Sequence, residues 1–156
     1  RFAKGLAARL RLGSGDTLLD AAGDCGAAAG AIVQLYRGRL HVVALQPTAA
    51  TLDAYSTHLQ PRFRALSAAA APPVNACVAH VGSLGWLPPD TFDAAIASGA
   101  LSRLPTRGHV CGALTQLLRS LRPGGRLVIA DGEHPAPCKP PRGAGAHGAR
   151  GEHLVV

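Results

Sequence analysis

Leu121-Arg122-Pro123-Gly124-Gly125-Arg126-Leu127-Val128-Ile129 turns a helix into a strand within a few residues. Upstream, Val110, Leu114, Leu117, Leu118 and Leu121 recur at the three- and four-residue spacing of one apolar helix face, and Thr106 stands where an N-cap is needed. Pro123 cannot continue that helix and Gly124-Gly125 permit a tight turn. Arg126 to Ala130 then reads as a strand.

The same alternation extends toward the N-terminus. Phe92 to Ala97 and Val74 to Val81 are apolar runs of strand length, and Ala68 to Pro73 is a low-complexity connection. Thr48, after Pro47, is expected to cap a helix that runs past Tyr55 and bends or breaks at Pro61. Leu40 to Leu45 is rich in strand formers, Ala27 to Tyr36 reads as a helix stopped at Gly38, and Asp16 to Ala21 as a buried strand. Arg1 to Leu12, with Phe2, Leu6, Arg9 and Leu10 at helical spacing, is an amphipathic helix ended by Gly13-Ser14-Gly15. Strands alternating with helices imply a mostly parallel sheet covered on both faces, with ligands taken at the carboxyl ends of its strands. From Glu133 to Gly151 the pattern stops: Pro135, Pro137, Pro140 and Pro141 precede a Gly/Ala/Arg stretch. The expected organisation is one α/β domain over 1–132 and a loop or linker over 133–156, with Glu152 to Val156 starting another strand.

Composition narrows the partners. Of 156 residues, 47% are hydrophobic, enough for a single core, and no apolar run has the length of a membrane span. Sixteen Lys and Arg against nine Asp and Glu give a net charge of +7, much of it near the two ends at Arg1, Lys4, Arg9, Arg11, Lys139, Arg142 and Arg150. No aromatic residues interleave with these charges to stack bases, so a solvated basic periphery is expected and nucleic acid is not. Cys25, Cys77, Cys111 and Cys138 are far apart and lack zinc-ligand spacing, and the histidines form no metal set. The expectation is no metal and reduced, mostly buried thiols in an intracellular, cytoplasmic protein. The chain starts at Arg1 and reads as an excerpt, which leaves organelle targeting open.

Three segments, in order, resemble class I S-adenosylmethionine-dependent methyltransferases of the compact, small-molecule kind. Leu18-Leu19-Asp20-Ala21-Ala22-Gly23-Asp24-Cys25-Gly26 resembles the glycine-rich turn after the first strand. Asp90-Thr91-Phe92-Asp93-Ala94-Ala95-Ile96-Ala97 is similar to the start of strand four, followed by Leu101 and Leu104-Pro105 in a Leu-x-x-Leu-Pro pattern. Leu117 to Asp131 is similar to the turn into strand five. The resemblance covers residues 14 to 133 and implies a Rossmann-like three-layer sandwich. Its strand order would be three-two-one-four-five, normally completed by an antiparallel hairpin, for which the Pro/Gly-rich tail is short.

The resemblance also implies a site. Asp20, Ala22, Gly23 and Gly26 fall where the family holds the methionyl part of its cofactor, at a helix N-terminus that offers free amides. Gln46 and Pro47 fall where the second strand ends in an acidic residue that grips the ribose hydroxyls. Ser83 and Leu84 fall where an aspartate approaches the adenine, with Trp86 as a further packing candidate. Several contacts depart from the family: Ala22 and Asp24 replace glycines, Gln46 an acid and Ser83 an aspartate. Each hydrogen bond is worth about 0.5–1.5 kcal/mol net, so the set bears strongly on affinity without abolishing a pocket.

Transfer from a sulfonium needs positioning more than an obligatory catalytic side chain. Asp131 and His134, at the exit of strand five, are candidates for a base or a substrate contact, against a bland reading as loop residues. The Asn/Asp-Pro-Pro-Tyr motif of amino-group methylation is missing after strand four, where Ser98-Gly99-Ala100-Leu101 stands. Gly23, Gly26 and Gly30 do not have the spacing of a nicotinamide-binding turn, and Gly-x-Ser-x-Gly is absent. The expected function is methyl transfer from S-adenosylmethionine to a small-molecule acceptor. The competing reading, carried by Asp24, Gln46 and Ser83, is an inactive scaffold or binding module on the same fold.

Overall fold

A computed structural model describes residues 2–21, 26–37, 39–66, 74–131 and 153–155. In chain order these form α1 (Phe2–Leu10), β1 (Thr17–Asp20), α2 (Ala27–Leu35), β2 (His41–Gln46), α3 (Ala49–His58), α4 (Gln60–Leu66), β3 (Val74–Val78), β4 (Phe92–Ser98), a 3-10 turn (Leu101–Arg103), α5 (Arg107–Ser120), β5 (Leu121–Ala130) and β6 (His153–Val155). The strands make one sheet of six in the order β3-β2-β1-β4-β5-β6, and every neighbouring pair is parallel.

The period-two alternation of the strands divides the core between the two faces. Leu18, Val42, Ala44, Ala94, Ile96 and Val128 pack on one side with Leu6 and Leu10 of α1, Ile32 and Val33 of α2, and Tyr55 of α3. Leu19, Leu45, Ala95, Ala97, Leu127 and Ile129 pack on the other with Val110, Ala113 and Leu117 of α5. Helices therefore cover both faces, the three-layer Rossmann-like arrangement expected.

Local chemistry explains the element ends. Thr48 caps α3 through a reciprocal box with Thr51, at 3.1 Å in each direction. Thr106 caps α5 by accepting from the His109 N–H. The break expected at Pro61 falls at Leu59, between α3 and α4, so that Pro61 sits in the first turn of α4, where its missing N–H is tolerated. The Pro123-Gly124-Gly125 turn lies inside β5: Leu121 pairs with Phe92, Arg126 with Ala94, and the intervening residues form an irregularity in the ladder. Gly124, at φ +84°, supplies the left-handed residue it needs.

Two expectations change. The strand beside β5 is β6, and it runs parallel rather than as part of an antiparallel hairpin. Residues 131–152 separate the two strands, more than the dozen or so that a parallel crossover requires. Cys111 is disulfide-bonded, with a partner outside the described residues, while Cys77 is free. Reduced thiols throughout is therefore not what the structure shows. Most of 133–156 lies outside the described residues. No helix among them is long and apolar enough to cross a membrane.

Candidate functional site at the carboxyl edge of the sheet

The strand order reverses at β1, which has β2 on one side and β4 on the other. In open parallel sheets the connections leave β1 and β4 toward opposite faces, and a crevice opens between them. A recess of about 30 Å³, room for about two waters, occurs at this place. Ala21 lines it from the end of β1, Leu45 and Pro47 from the end of β2. Ala79, His80 and Val81 follow β3, and Ala100 and Arg103 follow β4. The walls are mainly apolar, with His80 and Arg103 as the lining side chains that carry charge or a ring N–H.

Behind the recess lies a buried polar layer. Asp20 and Gln46, the last residues of β1 and β2, are both fully buried. Tyr55 of α3 is fully buried too, and its phenol is pushed well above its ordinary range, first by burial and second by the charge of Asp20. Asp20 and Tyr55 thus share one desolvated environment. Gln46 is different: both its amide nitrogen and its amide oxygen are buried without a hydrogen-bond partner. Such a group normally finds one, because leaving it unmade costs about 1–3 kcal/mol.

Gly26 begins α2 at φ +83°. A β-carbon there would collide with the Tyr55 ring and come within 3.1 Å of Leu59 Cδ1. Its position among the family's glycines therefore has a packing cause besides any cofactor. Ala22 and Gly23, with Asp24, lie outside the described residues.

The other sequence candidates are dispersed. Pro47 reaches the recess. Ser83 is exposed in the turn after β3, its N–H bonded to the His80 carbonyl at 2.9 Å. Leu84 is fully buried in the core, and its N–H donates to Gln116 Oε1 at 2.6 Å. Trp86 is 58% exposed. Asp131 fastens the end of β5 to the 3-10 turn: one carboxylate oxygen accepts from the Leu101 N–H at 3.0 Å, the other from the Ser102 hydroxyl at 2.9 Å. Both oxygens are engaged, and Asp131 does not line the recess. His134 lies outside the described residues.

Sequence reasoning did not single out His80 and Arg103 for this site. Neither belongs to a short motif; their shared signal is topological, since each follows the carboxyl end of a strand. Among the described residues no group of three or more His, Cys, Asp or Glu could hold a metal ion.

S-adenosylmethionine, the cofactor implied by the sequence resemblance, fits this chemistry in part. Pro47 and Val81 offer apolar walls, and the unpaired Gln46 amide can both donate to and accept from a hydroxyl. The recess alone does not hold a nucleoside.

The methyltransferase domain family matches residues 23–129. No curated protein matches the chain. Among solved structures, an arsenic(III) S-adenosylmethionine methyltransferase from Chlamydomonas reinhardtii superposes with a TM-score of 0.65 at 21% identity, over 76% of this chain and 39% of that one. The YcgJ protein from Bacillus subtilis gives 0.65 at 18% identity, over 83% and 49%. An S-adenosylmethionine-dependent methyltransferase from Methanosarcina mazei gives 0.59 at 20% identity, over 74% and 52%. The chain thus spans from 39% to 52% of the length of these three structures.

Proposed function

Since the chain belongs to the methyltransferase domain family, of the class I, S-adenosylmethionine-dependent type, we propose that it transfers a methyl group from S-adenosylmethionine to a small-molecule acceptor. The observation that carries the reading is the position of the recess. It lies where the strand order reverses, between the ends of β1 and β2 on one side and the segment after β4 on the other.

The cofactor supplies an activated methyl on a sulfonium, whose departure leaves a neutral thioether. Once bound, it would offer that methyl to an acceptor lone pair, with the acceptor proton passing to solvent. The work of the protein is then alignment and exclusion of water. Pro47 and Val81 would flank the flat part of the nucleoside, and Gln46 would meet a ribose hydroxyl. Asp20, buried at the end of β1, and the buried Tyr55 would back this side of the site. Gly26 lets α2 begin close to this layer.

Calorimetric titration with S-adenosylmethionine and S-adenosylhomocysteine tests the reading. Micromolar binding weakened by Asp20→Ala supports it. No binding at millimolar ligand, by a chain shown to be folded, overturns it.

One observation favours a second reading, a scaffold that does not use the cofactor: Asp20 and Gln46 are both without exposed surface. If the amide of Gln46 stays in the core, affinity falls to what apolar contact and the backbone provide. The same titration separates the two.

A further inference from the structure

The segment that leaves β4 forms one wall of the recess, through Ala100 and Arg103. Its exit is made at Gly99, φ +60°, where a β-carbon would meet nothing within 4 Å. No packing on that side fixes the direction the chain takes. Leu101 and Leu104 hold the segment down on the core, but apolar contact has no preferred direction.

Direction comes from hydrogen bonds to the end of β5. The Gly99 N–H donates to the Ala130 carbonyl at 3.1 Å. The Leu101 N–H donates to one Asp131 carboxylate oxygen at 3.0 Å, and the Ser102 hydroxyl to the other at 2.9 Å. Bonds to a carboxylate are stronger than those between neutral groups, so Asp131 is the firmest of these fastenings. Asp131 itself does not line the recess. Its influence on a ligand there runs through the wall it holds.

We infer that Asp131 is a positioning residue for the recess: it sets the wall formed by Ala100 and Arg103 by hydrogen bonding, not by proton transfer. The inference rests on the methyl-transfer reading for the ligand that fills the recess. Where alignment is the protein's main work, a displaced wall weakens the fit without touching the reacting atoms.

The test compares variants of the 156-residue chain by urea denaturation and by calorimetric titration with S-adenosylhomocysteine. The amide of Asp131→Asn can accept from the Leu101 N–H and donate to the Ser102 hydroxyl, keeping the clasp without its charge. It should bind within about twofold of the parent chain, whereas Asp131→Ala should bind about tenfold more weakly. Asp93→Ala is the control: it strands the Thr17 N–H at the opposite edge of the sheet. It should lower the urea midpoint comparably yet bind within about twofold of the parent. If Asp131→Ala does not fold, Ser102→Ala removes one bond from an exposed side chain and should lose about threefold. Undiminished binding in the variants that break the clasp, or an equal loss in Asp93→Ala, reduces Asp131 to a stabilising role and overturns the inference. A loss in Asp131→Asn as large as in Asp131→Ala assigns the effect to charge and overturns it as well. A folded parent that binds no S-adenosylhomocysteine rejects the methyl-transfer reading and this inference together. A parent that binds, with variants that do not differ, rejects this inference alone.

Discussion

The ring of Tyr55 occupies the space that a β-carbon on Gly26 would need. Gly26 also sits at φ +83°, which side chains rarely adopt. Gly26→Ala therefore meets two penalties, and Gly124→Ala, at φ +84° with nothing within 4 Å of its would-be β-carbon, meets one. Gly124→Ala should cost about 1–2 kcal/mol, the left-handed strain alone. Gly26→Ala should exceed it by about 1–3 kcal/mol, the range for overpacking a core. Urea denaturation of the two variants measures the difference; equal losses would show that Tyr55 moves aside freely.

Tyr55 also makes stability depend on alkaline pH. Its folded phenol is raised above the ordinary tyrosine value of 10.0, mainly by burial and further by Asp20. The sign follows from linkage: the unfolded chain releases this proton above about pH 10, while the folded chain keeps it. The contribution is fully present below the unfolded value and is lost as pH rises toward the folded one. Tyr55→Phe should flatten the stability–pH curve above pH 10, where a single such group gives a slope of up to about 1.4 kcal/mol per pH unit. Denaturation midpoints at pH 9, 10 and 11 for both proteins test this, and parallel curves would contradict it.

Asp93 joins three parts of the sheet. One carboxylate oxygen accepts from the Thr17 N–H at 2.8 Å, and the other pairs with Arg122 at 2.7 Å. The Arg122 side chain is half exposed, so solvent screening limits the ion pair to about 0.2–1 kcal/mol. The bond to Thr17 is part-buried and holds the start of β1 against β4. Arg122→Ala should therefore cost less than about 1 kcal/mol, and Asp93→Ala about 1–3 kcal/mol because it strands a backbone donor. Thermal or urea unfolding that ranks them the other way would reject the assignment.

Much of the fold was legible because its signals are local. Thr48 and Thr106 are small residues before helical runs, and both cap; the Pro123-Gly124-Gly125 turn is a local backbone requirement met within β5. The site was less so. Leu84 follows a strand as an adenine-facing residue would, yet its side chain enters the core because Gln116 of α5 holds its backbone. Arg103 and His80 are 23 positions apart in sequence and meet only through the crossover from β3 to β4. Asp131 has the type and place of a base, but the 3-10 turn engages both its oxygens. Side-chain direction and the competition for hydrogen bonds are set by tertiary packing, which residue type alone does not encode.

Gln46 joins stability to binding. Its amide is fully buried and lacks a partner for either polar atom, so it lowers the stability of the ligand-free fold. Gln46→Leu has a similar reach and no polar atoms, and should raise unfolding free energy by roughly 1 kcal/mol. Gln46→Glu should do the opposite, since it would bury a carboxylate beside the charge of Asp20. If the amide turns to a ribose hydroxyl on binding, Gln46→Leu should also weaken S-adenosylhomocysteine by roughly three- to tenfold, the worth of one net hydrogen bond. The two effects together mark a residue kept for ligand contact at the expense of the empty fold. Greater stability with undiminished affinity would place Gln46 outside the cofactor site, and lower stability in Gln46→Leu would mean that its amide is satisfied within the folded chain.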